Sequence, residues 1–162
     1  MMEKILRFCD GLPERHVEAG ETLLAFGETQ NRLYVLIDGE LEVSNDGVQI
    51  STQDEPGSVF GEMSVLLGIP HTATVKGFVA SRVYVVENAA EFLRSHPDVT
   101  FYMAKLLARR LKGATDYLVD VKGQFEDQKG HLGMVDEVLA SLMYQQDEEC
   151  TPGSERDPDT AI

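Results

Sequence analysis

Short apolar stretches separated by turn residues fill positions 16–87, and this pattern limits the fold more than any other feature of the chain. The stretches cover residues 23–26, 33–37, 41–44, 48–51, 72–76 and 82–86. Residues 41–44 alternate apolar and polar side chains, as a strand with one buried face does. Many short strands at spacings of about 8–12 residues predict an antiparallel β-sandwich, jelly roll or barrel.

One pair of these stretches carries a strong hairpin signal. Asn45, Asp46 and Gly47 separate residues 41–44 from residues 48–51. Turns that join two strands tightly need residues that tolerate positive φ, and Asn, Asp and Gly do so best. We therefore predict a tight hairpin over residues 41–51.

Residues 60–75, read FGEMSVLLGIPHTATV, interrupt the strand series. A turn of helix is expected over residues 62–67, with Gly61 before it and Gly68 and Pro70 after it. Glycine lets the backbone approach a ligand closely, and free N–H groups at a helix start favour phosphate. The carboxylate of Glu62 would repel phosphate but accept from a hydroxyl. Phosphate plus hydroxyl on one small molecule describes a nucleotide.

The same residues resemble the phosphate-binding cassette of the cyclic nucleotide-binding domain family. Phe60-Gly61-Glu62 matches the family's F-G-E, and Pro70, Ala73 and Val75 match P-R-x-A-x-V. We call residues 60–75 the cassette. The resemblance extends over roughly residues 17–111, with agreement at Gly20, Phe26-Gly27, Leu33-Tyr34, Gly39 and Gly57. It implies an α+β fold, in which an antiparallel β-roll or jelly roll carries short N-terminal helices, a cassette helix and a long C-terminal helix.

The resemblance also implies a set of ligand-binding residues. Glu62 would accept the ribose 2′-hydroxyl, and Thr72 would reach the cyclic phosphate. Thr115 would contact the base, with Asp116 beside it able to read a guanine edge. Gly61, Met63 and Ser64 would offer backbone N–H groups, and Ser64 would add its hydroxyl. The remaining candidates in the cassette are His71 and Ala73. The alternatives are a salt bridge for Glu62, strand propensity for Thr72, and ordinary exposed helix positions for Thr115 and Asp116.

His71 departs from the family pattern, which has an arginine here to neutralise the phosphate. Arginine is always charged and offers a planar fork of donors. Histidine offers at most two donors and is largely neutral near pH 7. Two interpretations follow: an imidazolium that binds phosphate more strongly at lower pH, or a surface histidine in a degenerate pocket.

Helices are expected at both ends of the strand series. A short helix is predicted over residues 2–8 and another over residues 89–95. Asp98 can cap a long helix that begins near Val99 and runs to residue 146. Within it, apolar residues spaced alternately by four and three form an a/d seam, which favours a homodimeric coiled coil; they include Leu107, Leu111, Leu118, Val121, Leu132, Val135, Leu139 and Leu142.

Two features of this region leave alternatives open. The helix could fold back on its own barrel instead of pairing with a second chain. Gly130 to Gly133 could break it in two, because each glycine costs about 1 kcal/mol against alanine in a helix. The expected organisation is a nucleotide-binding-like β-roll over residues 1–111, a dimer helix over residues 98–146, and a disordered acidic tail over residues 147–162.

Charge and composition limit the kinds of partner that this chain can bind. The 162 residues include 28 acidic and 14 basic side chains, a net charge of −14. Such a surface repels nucleic acid and anionic membranes, so Arg109-Arg110 is interpreted as a solvated face or salt-bridge pair. No apolar run reaches the roughly 20 residues that span a bilayer, and the opening residues carry charges too early for a secretory signal. A cytoplasmic location is expected.

Enzymatic chemistry finds little support in the sequence. Cys9 and Cys150 lie far apart and in no metal-ligand spacing, and the four histidines form no HxH or HxxxH pattern. No nucleophile elbow, P-loop or paired carboxylates are visible. We expect no enzyme, no metal and no cofactor, and cyclic AMP or cyclic GMP as ligand.

The function expected from the resemblance is a regulatory cyclic nucleotide sensor that signals through a dimer helix to an unknown downstream protein. Residues 132–162 are too few for the DNA-binding domain that catabolite-activator-type regulators carry. The alternative is a structural dimerisation or docking protein whose nucleotide pocket no longer binds ligand.

Overall fold

The computed structural model describes residues 2–124 and 132–144. Its helices are α1 Met2–Cys9, α2 Glu62–Leu67, α3 Ala89–Ser95, α4 Pro97–Gln124 and α5 Leu132–Tyr144. Its strands are β1 Glu14–Val17, β2 Thr22–Leu24, β3 Arg32–Asp38, β4 Leu41–Asn45, β5 Val48–Gln53, β6 Val59–Phe60, β7 Thr74–Gly77 and β8 Ser81–Glu87. Among the described helices, none is long and apolar enough to cross a lipid bilayer.

The strands form two antiparallel sheets, which confirms the predicted roll. One sheet has the order β1-β8-β3-β6 and the other β2-β7-β4-β5. Their facing side chains make one core; it contains Val17, Tyr34, Leu36, Phe60 and Val83 from the first sheet and Leu23, Leu24, Leu41 and Val75 from the second. Burying these side chains supplies the main driving force for the fold, at roughly 1.5–3 kcal/mol for each large one.

The predicted hairpin is present between β4 and β5. Asn45 pairs with Val48 across the turn, and the two residues between them have positive φ, 50° at Asp46 and 75° at Gly47. This geometry is that of a type I′ turn, whose twist matches the twist of the strands. The sequence Asn-Asp-Gly therefore dictates this part of the fold locally.

Strand β3 lies at the centre of the first sheet and is covered on both faces. It pairs with β8 on one side and β6 on the other. Four consecutive residues, 33–36, are buried, which explains why residues 33–37 alternate poorly in the sequence. Strand β3 therefore supports the cassette, which begins in the neighbouring strand β6.

Two strand ends differ from the prediction. Strand β2 ends at Leu24 instead of residue 26, and β7 begins at Thr74 instead of residue 72. The backbone there still pairs, because the N–H of Gly27 donates to the carbonyl of His71 (2.9 Å) and the N–H of His71 donates to Glu28 (2.8 Å). These two bonds tie the segment after β2 to the segment before β7.

The start of α4 also differs from the prediction. Helix α4 begins at Pro97, so Asp98 lies in its first turn and is not its N-cap. Proline suits the first position of a helix because its missing N–H would have no partner there. The carboxylate of Asp98 still lies at the positive end of the helix dipole.

The described residues contain α4 and α5 in place of the one long helix expected over residues 98–146. Lys122 on α4 and Asp136 on α5 form an ion pair. In one straight helix, residues 14 positions apart would be separated by about 21 Å. Such an ion pair does not fit one straight helix through both segments, while the dimer seam expected over residues 98–146 stays a prediction.

The chain divides into two compact units, one reaching Tyr102 and the other beginning at Met103. The division falls before residue 111, the boundary expected for the β-roll. The tail predicted over residues 147–162 lies outside the described residues.

Candidate functional site

Gly61 forms the turn between β6 and the cassette helix α2. Its φ is +88°, in the left-handed region. A Cβ at this position would lie 2.9 Å from the carbonyl oxygen of Arg32. Both facts require glycine here, because a side chain would be strained and would collide with the backbone of β3. The close approach fixes the beginning of α2 against the sheet.

Helix α2 turns two polar residues inward. Glu62 is 7% exposed and Ser64 is 5% exposed. The hydroxyl of Ser64 donates to the carbonyl of Ile69 at 2.6 Å, and the N–H of Gly68 donates to the carbonyl of Ser64 at 2.9 Å. These bonds close the helix onto the loop that follows. The hydroxyl predicted to serve a ligand thus has a partner inside the cassette.

The outer face of α2 is apolar and open to solvent. Met63, Leu66 and Leu67 are all exposed, Leu67 to 63%. Met63 was predicted to offer its backbone N–H at the helix start, and it lies there, as the second residue of α2.

His71 is buried, which rules out the surface histidine considered from the sequence. Its relative exposure is 4%. Its Cε1 would lie 3.8 Å from a Cβ placed on Gly61, so the ring packs beside the turn that begins α2. Its Nε2 is buried and has no hydrogen-bond partner among the described residues. Burial lowers the pKa of His71, and the nearby charge of Glu28 opposes that change more weakly.

The residues after His71 lead into β7. Thr72 is exposed and Ala73 is half-buried. Thr74, which sequence reasoning did not select, accepts a hydrogen bond from the N–H of Phe26 at 3.1 Å. The fold therefore places His71 beside Gly61, the residue that precedes Glu62.

Thr115 belongs to the unit that begins at Met103. Its hydroxyl donates to the carbonyl of Leu111, one turn back, at 2.9 Å. Asp116 forms an ion pair with Lys112 on the same helix. Both contacts are local to α4, and the base-contacting role of Thr115 stays a prediction.

Asn31 is a structural residue of the site that sequence reasoning missed. Its carbonyl accepts from the N–H of Ala89 and its side-chain oxygen from the N–H of Ala90, both at 3.1 Å. It thereby satisfies two free N–H groups at the start of α3. Its neighbour Arg32 pairs with Glu87 at 2.8 Å. The partners lie more than 50 positions away, so local patterns could not reveal them.

Two polar sites lie away from the cassette, at a cavity beside β1 and β8 and at Cys9. The cavity has a volume of about 120 Å³, and its charged lining residues are Glu18, Asp38 and Arg82. Arg82 forms ion pairs with Asp38 and Glu14. Cys9 is buried, and burial raises the pKa of its thiol to about 11. Among the described residues, no group of three or more metal-ligating side chains comes together.

Comparison with known proteins gives a family match over the whole roll. The model of the cyclic nucleotide-binding domain matches residues 14–94. A cGMP-dependent protein kinase of Caenorhabditis briggsae is 29% identical over 87 residues, which are 54% of this chain and 12% of the kinase. A CRP-like cAMP-activated global transcriptional regulator of Mycobacterium tuberculosis is 28% identical over 108 residues, which are 63% of this chain and 48% of the regulator.

A solved structure has the same fold. The catabolite activator protein of Thermus thermophilus superposes with a TM-score of 0.61 at 23% identity, covering 75% of this chain and 59% of that one. The chain thus spans about half of the regulator that it matches and a small part of the kinase.

Proposed function

This chain belongs to the cyclic nucleotide-binding domain family, and on that premise we propose that it is a regulatory sensor of cyclic AMP or cyclic GMP. The observation that carries the proposal is the cassette itself. Gly61, with its φ in the left-handed region, precedes α2, and the buried carboxylate of Glu62 follows it. His71 packs beside the same turn.

The proposed ligand contacts follow from this arrangement. The carboxylate of Glu62 would accept the ribose hydroxyl, a charge-assisted bond and therefore a strong one. The backbone around Gly61, Met63 and Ser64 would donate to the cyclic phosphate, with Ala73 beside it and the exposed hydroxyl of Thr72 in reach. Thr115 would contact the base. No catalytic residue, metal or cofactor is part of the proposal.

The proposed output runs through α4 and α5. Leu111 of the seam is 45% exposed, whereas six other seam residues are half-buried: Leu107, Leu118, Val121, Val135, Leu139 and Leu142. We propose that they pair two copies of the chain and that ligand binding alters this pairing, which a downstream protein then senses. The net charge of −14 disfavours nucleic acid as that partner. A cytoplasmic location stays a prediction.

Calorimetric titration of the purified protein with cyclic AMP and with cyclic GMP tests the proposal. We expect micromolar binding of at least one of them and loss of that binding in Glu62→Ala. Asp54→Ala removes the same charge from an exposed loop position and should bind like the wild type. Glu62→Gln keeps the volume of the buried side chain and guards against misfolding. No binding at millimolar ligand, with the circular dichroism of a folded protein, would contradict the proposal.

One observation favours a second function. His71 is buried and its pKa is lowered, whereas the family resemblance places a permanently charged arginine here. A pocket without that charge would suit a structural dimerisation or docking protein that binds no nucleotide. The same titration distinguishes the two functions, because a docking protein that binds no nucleotide would be a dimer and would give no heat of binding.

A further inference from the structure

The position of His71 poses a problem of hydrogen bonding. The ring is buried beside Gly61, and its Nε2 has no hydrogen-bond partner among the described residues. A buried polar atom without a partner destabilises the state that contains it. The carbonyl of His71 accepts from the N–H of Gly27, and its N–H donates to the carbonyl of Glu28, so these two hydrogen bonds hold its backbone in place. Such a nitrogen is suited to a partner that arrives from outside the chain.

The charged groups around this ring are few. Glu28, in the loop after β2, is the group whose charge acts on His71. On the cassette side, Glu62 follows Gly61 at the start of α2. On β3, the guanidinium of Arg32 is paired with Glu87. The charge of Glu28 favours the imidazolium, whereas burial favours the neutral ring.

We propose that His71 couples ligand binding to proton uptake, being neutral in the free protein and an imidazolium when a phosphate diester fills the cassette. The proposal rests on the proposed function. The anion would supply the charge that offsets burial and the acceptor that Nε2 lacks. The protonated ring would then take the place of the arginine expected from the resemblance.

The sign of the pH dependence follows directly. In the free protein, burial disfavours the charged ring and lowers its pKa below 6.5. In the complex, the phosphate favours the charged ring and raises its pKa. Between the two values, binding takes up close to one proton, and affinity rises by up to about tenfold for each pH unit of acidification. Above both pKa values, the affinity is weak and no longer changes with pH.

The number of protons taken up can be measured by calorimetry. We would titrate the protein with the cyclic nucleotide that binds, at about pH 6.5, in PIPES and in imidazole, which differ in ionisation enthalpy. The difference between the two observed heats gives the proton count. For the wild type we expect between about half a proton and one proton per bound ligand.

Three variants identify the group that takes up the proton. His71→Gln keeps a neutral donor and should bind with no proton uptake. His71→Arg is permanently charged and should also take up none, while binding about 10- to 100-fold more tightly at pH 7.5. His16→Gln replaces an exposed histidine on β1 and should leave the wild-type proton count unchanged.

The outcomes separate this inference from the proposed function. Binding without proton uptake between pH 5.5 and 7.5, or uptake that persists in His71→Gln, would overturn the inference and leave the sensor function standing. No binding by the folded wild type across this range would overturn both. Uptake that disappears in both His71 variants and persists in His16→Gln would support it.

Discussion

At the scale of single residues, Gly61 is the position that the cassette tolerates least. Its φ of +88° and the 2.9 Å approach of the Arg32 carbonyl act together. Gly47 has a similar φ of +75° in the β4–β5 turn, yet a side chain there would meet open space. Comparing a substitution at Gly61 with one at Gly47 therefore distinguishes the cost of backbone strain from the cost of steric collision.

We predict that Gly61→Ala lowers the free energy of unfolding by about 2–4 kcal/mol, because strain and collision add. Gly47→Ala should cost only the strain, about 1–2 kcal/mol. Urea denaturation of both variants measures the difference. Equal losses would mean that the backbone around Arg32 yields to the new methyl group.

His71 should also give the fold a pH dependence in the absence of ligand. Its folded pKa lies below its ordinary value of 6.5, so the unfolded chain binds the proton first as pH falls. The stabilising contribution is complete above about pH 6.5 and is lost as the pH falls through the folded pKa. Each tenfold change in proton affinity corresponds to about 1.4 kcal/mol.

We accordingly expect the free energy of unfolding to fall between pH 7.5 and pH 5.5, with a smaller fall in His71→Gln. Urea titrations at several pH values measure both slopes. His16→Gln is the control and should keep the wild-type slope. A slope in His71→Gln as steep as in the wild type would assign the pH dependence to other groups.

At the scale of elements, boundaries set by local turn residues were predictable from the sequence, whereas boundaries set by tertiary hydrogen bonds were not. Asn45-Asp46-Gly47 fixes its hairpin and Gly61 and Gly68 bracket α2, so these boundaries were predicted correctly. The ends of β2 and β7 were not, because they depend on the bonds between Gly27, Glu28 and His71. The burial of His71 likewise depends on packing against residues distant in sequence.

The helices after α3 illustrate a conflict between two local signals. The a/d spacing favoured one long helix, whereas the glycines at 130 and 133 favoured a break. The Lys122–Asp136 ion pair does not fit one straight helix, although Gly133 itself lies inside α5. Heptad spacing alone does not separate a pair of helices in one chain from a pair in two chains, since both bury the same stripe.

We predict that spin labels at positions 120 and 138 lie closer together than a continuous helix allows. Such a helix would separate them by about 27 Å, and we expect less than about 20 Å for helices that return toward each other. Both positions are exposed. Cys150→Ser removes one native thiol, while Cys9 is buried and unreactive, its pKa raised to about 11.

Dipolar electron spin resonance measures this distance. A label pair at positions 112 and 120, within α4, is the internal standard and should read about 12 Å between the backbones. A distance near 27 Å for the 120–138 pair would restore the continuous helix.

At the scale of the whole molecule, the net charge of −14 opposes the proposed dimer. Two such chains repel each other over distances that salt shortens to about 10 Å at 0.1 M. We therefore predict that self-association strengthens as the salt concentration rises from about 50 to 300 mM. Sedimentation velocity measures the change, and weakening with salt would contradict an apolar seam.

The seam itself can be tested in the same experiment. Leu139→Asp places a charge on the half-buried stripe of α5 and should weaken association at least about tenfold, an effect of about 1.4 kcal/mol. Val138→Asp adds the same charge one position away, where the side chain is 45% exposed. It should associate like the wild type, and an equal effect of both variants would show that net charge, not the seam, controls assembly.

The two adjoining residues Asn31 and Arg32 have a mechanical consequence. The carbonyl of Asn31 accepts from the start of α3, and the carbonyl of Arg32 lies against Gly61. Their Cα atoms are about 3.8 Å apart, the length of a single peptide unit. The two carbonyls belong to consecutive peptide units that share the Cα of Arg32, and these units contact α3 and the cassette turn. We therefore expect a shift of the cassette turn to reach the start of α3 through these two peptide units.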